Sequence, residues 1–252
     1  MAYTNSPLAK VVMLSPNHSG QRKHEIDTIT IHCVVGQASA ERIGEIFLQE
    51  SRQASCNYGV GYDGTIVLCV EEKNRSWCTG GKDKNGNPIR VNGISGAEND
   101  QRAITIEVAS DKTHPYAVTD EALEALIELC ADICKRNNIK KLLWEGDKSL
   151  VGKITRQNLT VHRWFANKAC PGDYLYNRHS YIAEEVNKRL EGEKDMFDNV
   201  PAEWSKEAVE WAVENGILYG DENGDYKLRQ PCTREQMCVF LHRLYKLQEE
   251  SK

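Results

Sequence analysis

An α/β fold is predicted here: a central mixed β-sheet flanked by helices, followed by a small C-terminal helical hairpin. Three observations predict it. Two runs, DTITIHCVV and RAITIEVAS, alternate with the two-residue period of a strand. Two others, ERIGEIFLQE from Glu41 and TDEALEALIELCADICKRN from Thr119, carry the helical period. Beyond Phe197 the pattern changes to two helical runs joined by a turn-rich stretch. Strands that alternate with helices build a single sheet covered by those helices.

Thr28–Cys33 places Ile29 and Ile31 on one face of the first strand. The helix from Glu41 turns Ile43, Ile46 and Phe47 inward. CNYGVGYDGTIVLCVEE reads as two short strands joined at Asp63-Gly64, a dipeptide suited to a tight hairpin. The stretch from Gly80 to Asp100 is rich in Gly, Asn, Asp and Lys and is expected to be a long loop, functional or mobile. Thr119 or Asp120 caps the next helix, with acids in its first turn and bases in its last. Lys140–Trp144 is expected as a short strand, Leu159–His162 as the last one, and Asp173 to Leu190 as helical. The first domain spans 1–190, a charged linker 191–196, and a separate unit 197–252. In that unit WSKEAVEWAVENG sets Ala208, Trp211, Ala212 and Asn215 on one side. Thr233-Arg234-Glu235-Gln236 is a capping box that opens the second helix.

With 27% charged and 40% hydrophobic residues, the 252-residue chain has an ordinary globular composition. A formal charge of −5, most of it beyond Phe197, gives no footprint for nucleic acid or an anionic membrane. No apolar run nears the roughly 20 residues that span a bilayer. The first residues lack a long apolar segment, so no signal peptide is expected and most of the nine cysteines should be reduced. Cys130 and Cys134, one helical turn apart, read as buried small hydrophobes.

Chemistry concentrates at three residues. His32 ends the first strand, His162 ends the last, and Cys170 follows in the next loop, so one edge of the sheet can bring them together. Two imidazoles and one thiolate leave a fourth position open, which is the donor pattern of catalytic rather than structural zinc. A zinc hydrolase is the reading these residues support. His18, His24, His114, His179 and His242 lack such a setting and are expected at the surface or at caps.

Five motifs, TITIHCVVGQ, SCNYGVGYDGTI, RSWCTGG, NDQRAITIEVAS and HRWFANKACPGDYLY, occur in the order found in a known family. Over roughly residues 25–190 the chain resembles the zinc-dependent N-acetylmuramoyl-L-alanine amidases. These include phage lysins, cytosolic muropeptide amidases and animal peptidoglycan-recognition proteins. The resemblance implies a mixed sheet with Zn2+ in a surface groove, held by His32, His162 and Cys170. It implies Glu107 as the acid beside the metal and Lys168 as a basic catalytic residue, with Trp77 and Asn99 lining the groove. On the residues alone, Glu107 reads as a strand-end salt bridge and Lys168 as a solvated loop charge. Cys56 stands where some relatives carry a catalytic tyrosine, and Tyr58 is expected on the same face as Cys56. Cys78 stands where many have a histidine.

The tail resembles a single S-layer homology motif, in FDNVPAEWSKEAVEWAVENGIL and PCTREQMCVFLHRL. That implies a unit which binds a cell-wall polymer, with Arg234 the candidate for an anionic glycan, or which packs into a homo-oligomer. DENGD is no EF-hand, because Tyr226 and Cys232 stand where the loop needs glycine and an acid. The expected reaction is cleavage of the amide between N-acetylmuramic acid and the L-alanine of the stem peptide. The expected setting is a phage or prophage endolysin made in the host cytoplasm and acting at the wall after release, with a bacterial autolysin as the rival. A noncatalytic peptidoglycan-recognition module and an assembly scaffold are the other classes. Cys170 favours the enzyme, because binding-only members of the fold lack that sulfur.

Overall fold

In the computed structural model, residues 3–191 and 199–250 are described. The chain divides into two units, 1–190 and 191–252. The linker expected at 191–196 lies outside the described residues except for Glu191, as does Phe197.

The first unit runs β1 (Val11–Val12), β2 (His18–Gln21), β3 (Thr28–Val35), α1 (Ala40–Leu48), β4 (Tyr58–Val60) and β5 (Ile66–Leu68). It continues with β6 (Asn74–Ser76), β7 (Arg90–Val91), β8 (Ile94–Ser95), α2 (Gly96–Arg102), β9 (Ala103–Ser110) and α3 (Asp120–Arg136). β10 (Leu159–Val161), α4 (Gly172–Tyr176) and α5 (His179–Leu190) complete it. Six strands form one sheet in the order β1-β5-β4-β9-β3-β10. The β4–β5 hairpin is antiparallel and every other neighbouring pair is parallel, so the sheet is mixed as the sequence predicts.

The two faces of this sheet differ. Ile29 and Ile31 of β3 join Ile104, Ile106 and Val108 of β9 in a core covered by Leu126, Ile127 and Ile133 of α3. Ile182 and Val186 of α5 close the same side. Burying side chains of that size stabilises the fold by about 1.5–3 kcal/mol each. The other face packs Ile43 and Phe47 of α1 on Cys56, Val67, Cys69 and Ala109. The caps follow the sequence too: Thr119 accepts from the Ala122 amide at 3.1 Å to start α3.

Three expectations change. Lys140–Trp144 is not a strand, although the Leu143 carbonyl still accepts from the Asn158 and Leu159 amides. The stretch from Gly80 to Asp100 is no bare loop, since it holds the β7–β8 hairpin and most of α2. A capping box between Ser95 and Glu98 starts α2, and that signal is present in the sequence. His179, expected at the surface or at a cap, is fully buried, its Nδ1 at 2.7 Å from the Leu175 carbonyl oxygen in the last turn of α4.

In the second unit, α6 (Lys206–Glu214) and α7 (Arg234–Glu250) are the helices. The expected capping box forms: Thr233 donates its amide to Gln236 Oε1 at 2.8 Å, and Gln236 returns one to Thr233 Oγ1 at 3.1 Å. Trp211, on the side expected to carry Ala208, Ala212 and Asn215, is 46% exposed. The side of α6 that is covered carries Val209, Ala212 and Val213, so the amphipathic face is rotated from the expected one. Among the described residues no helix is long and apolar enough to cross a membrane.

Candidate active site

Three parallel strands carry the same short pattern: Thr30-Ile31-His32 in β3, Thr105-Ile106-Glu107 in β9, and Thr160-Val161-His162 at the end of β10. Strand pleating sends the aliphatic residue to the apolar core and its two neighbours to the opposite face. The register then aligns them. Thr30 pairs with both Thr105 and Thr160, and His32 pairs with Glu107. A buried row of threonines therefore underlies a row made of His162, His32 and Glu107.

The threonine row is tied together. Thr30 and Thr160 hydroxyls lie 2.7 Å apart, and Asn99 bridges them, donating to Thr30 at 2.9 Å and accepting from Thr160 at 3.2 Å. Asn99 is thus a buried brace beneath the row, only 3% exposed, and not the groove-lining residue expected. Both ends of its amide are used in the interior.

Above the threonines the chemistry converges. One ligand atom from each of His32, His162 and Cys170 lies within 4.8 Å of the others. His32 Nδ1 stands 3.4 Å from Cys170 Sγ and 4.0 Å from Glu107 Oε1, while its Nε2 faces the Thr79 hydroxyl at 3.3 Å. Thr79 fixes the ring so that Nδ1 looks into the site. The His162 ring packs edge-on to His32, centroids 5.0 Å apart, and its Nε2 is buried with no hydrogen-bond partner.

Burial holds His32 well below its usual range, with the His162 and Lys168 charges adding to the effect. His162 is pushed down to about 4 by burial and then by Lys168, against an opposing backbone contact with Gly80. Both rings are therefore neutral near pH 7 and keep lone pairs to donate. A buried imidazole nitrogen without a partner is costly unless something fills its place. The donor set of two nitrogens and one sulfur suits zinc, and these residues fit it.

Glu107 sits at the open side. Burial raises its carboxyl to about 7, while the Cys78 hydrogen bond and the charges of Arg52 and Lys168 pull downward. The Cys78 thiol donates to Oε1 at 3.8 Å, and Oε2 is buried without a partner. A cavity of about 520 Å³ opens here, with Phe47, Arg52, Tyr116, Glu107 and Cys170 in its wall. A second of about 500 Å³ is bounded by Gln53, Arg75, Gly80 and Asp100. Trp77, His162 and Lys168 border both, so the donor cluster lies where two halves of one groove meet. Trp77 lines the groove as expected, its Nε1 donating to Ser19 Oγ at 2.6 Å.

Tyr58 departs from expectation. β4 begins at that residue, after irregular chain through Cys56, and Tyr58 joins the apolar core on the opposite face. Its hydroxyl donates to Glu72 Oε1 at 2.6 Å, away from the donor cluster. Cys56 stays on the α1 side with Cys69. Arg234 is exposed at the start of α7. Sequence reasoning missed Thr79, Arg52 and Tyr116. Thr79 lies within the RSWCTGG motif, whereas Tyr116, at φ 60°, reaches the groove through a turn no pattern announces.

The family model described as N-acetylmuramoyl-L-alanine amidase matches residues 22–173. That described as S-layer homology domain matches residues 197–238. No curated protein matches the chain. Among solved structures, a selenomethionine derivative of AmpD is similar with TM-score 0.51 at 17% identity, over 73% of this chain and 99% of its own. PlyL is similar with TM-score 0.50 at 16% identity, over 70% of this chain and 95% of its own. At these identities the likeness is one of fold.

Proposed function

The chain belongs to the N-acetylmuramoyl-L-alanine amidase family, and from that premise we propose that it hydrolyses peptidoglycan at a zinc centre held by His32, His162 and Cys170. The bond cut is the amide between the lactyl group of N-acetylmuramic acid and the L-alanine of the stem peptide. The observation that carries the reading is the convergence of three donors beside the half-buried Glu107 carboxylate at the junction of two groove halves.

Zinc bound there supplies a Lewis acid that polarises the scissile carbonyl and makes water more acidic. The protein's residues do the rest. Thr79 holds His32 in orientation through Nε2. Glu107 Oε2, buried and unpartnered, takes a proton from the attacking water and returns it to the leaving amine. The Lys168 ammonium, exposed at the groove, stabilises charge that develops on the carbonyl oxygen. Trp77 borders both halves and orients the substrate across them.

The second unit serves as the wall-associating module, with Arg234 as its contact for an anionic glycan. We read the two units together as an endolysin that acts at the bacterial wall, with a bacterial autolysin as the alternative. The test is clearing of purified cell walls with appearance of new L-alanine amino termini, run beside metal analysis. Cys170→Ser loses most of its zinc and its activity. Glu107→Ala keeps zinc but loses activity. A metal-replete, active Cys170→Ser would remove that sulfur from the site.

A further inference from the structure

Nine cysteines are present, and five of them, Cys33, Cys56, Cys69, Cys78 and Cys170, gather around the donor cluster. They are not equivalent. Cys56 and Cys69 are fully buried against each other under α1. Cys78 is committed to Glu107. Cys33 and Cys170 are half-buried, and both stand in the wall of the open 520 Å³ cavity. Their side chains hydrogen-bond to each other, and the Cys33 backbone amide also donates to the Cys170 sulfur. Cys170 Sγ is at the same time 3.4 Å from His32 Nδ1. One sulfur of a touching, solvent-reached thiol pair is thus a donor of the metal site.

We propose that Cys33 and Cys170 form an oxidant-sensitive pair whose disulfide withdraws the sulfur donor and releases the metal, a modification site that takes hydrogen peroxide as its substrate. The inference rests on the zinc reading for its consequence, though not for the bond itself. The Cys170 sulfur attacks a peroxide oxygen, the O–O bond breaks, and a sulfenic acid forms as one water leaves. The Cys33 sulfur then attacks that sulfenic sulfur, the S–S bond forms, the S–O bond breaks, and a second water leaves. Two thiols have lost two electrons and two protons, and the peroxide has gained them. The ion is left with two imidazoles, too few to retain it, and a dithiol reductant restores both the thiolate and the site.

The experiment uses the full chain, zinc-loaded and zinc-free, titrated with hydrogen peroxide and mapped as peptides under non-reducing conditions. The expected product is a Cys33–Cys170 linked peptide lacking two hydrogens, formed in both preparations. In the loaded protein, zinc appears in a chromogenic chelator in step with that peptide and is taken back after dithiothreitol. Cys33→Ser, compared with its own untreated sample, forms no linked peptide and releases less zinc than the parent at the same low dose. Should Cys33→Ser fold poorly, Cys33→Ala and the mapping of the parent carry the decision. A Cys78–Cys170 linkage, oxidation of Cys170 without a linkage, or equal zinc release from Cys33→Ser overturns the proposal. A protein that takes up no zinc yet forms the Cys33–Cys170 bond would instead sink the zinc reading and leave the pair standing.

Discussion

At the scale of single residues, orientation matters as much as identity. His32 presents two nitrogens, and with Nε2 on the Thr79 hydroxyl the Nδ1 faces Cys170 and Glu107. Partners of this kind orient a metal-binding imidazole, and their loss typically costs 10–100-fold in affinity. Thr79→Val keeps the shape and removes the oxygen. It is expected to weaken zinc binding by about that 10–100-fold while leaving the unfolding midpoint of the zinc-free protein near the parent's. Competition with a chelator of known affinity measures it, and unchanged affinity would show that packing alone sets the ring. The sequence could name His32, His162 and Cys170, because those residue types carry the chemistry. It could not name Thr79, whose role depends on a loop that Gly81 and Gly96 let approach. A Cβ at Gly96 would sit 2.1 Å from the Thr79 carbonyl oxygen, and one at Gly81 2.3 Å from that of Phe165.

At the scale of elements, the sheet explains why the site was legible and where the reading failed. Strand alternation separates Ile31, Ile106 and Val161 from their polar neighbours, so a period-two pattern tells face from face. The parallel register then turns three separate strand ends into one row, and that pairing is visible only in the structure. Tyr58 was misjudged because Cys56 and Asn57 precede β4, and alternation cannot be extended through irregular chain. Asn99, the first residue of the NDQRAITIEVAS motif, was expected to line the groove. Its amide instead satisfies Thr30 and Thr160. This makes the threonine row a foundation for the chemical row. Thr30→Val removes one hydroxyl and strands the Asn99 donor, which costs about 1–3 kcal/mol. Urea unfolding of the zinc-free protein should show a lower midpoint with an unchanged slope. A midpoint equal to the parent's would mean that the brace carries no stability.

At the scale of the whole molecule, the apolar interior is distributed very unequally. All three buried clusters are built from residues up to Leu190. Among the described residues of the second unit, Ile217 is the one buried hydrophobic, while Trp204 is 90%, Leu241 58% and Tyr245 57% exposed. A unit of this size hides too little surface to be stable by itself without a staple or a partner. The first unit needs none, since its sheet is covered on both faces by its own helices. A chain ending at Leu190 is therefore expected to unfold with the parent's midpoint and to release L-alanine amino termini from small soluble muropeptides at the parent's rate. What it should lose is retention on intact walls, read by pelleting with purified sacculi, because the segment that matches the S-layer homology domain has gone. Size-exclusion chromatography of both forms asks whether the exposed helices find a second copy. Equal monomers would remove self-association and leave the wall polymer as the partner of that surface. A truncated chain that unfolds early would show that the second unit is part of the catalytic domain's stability.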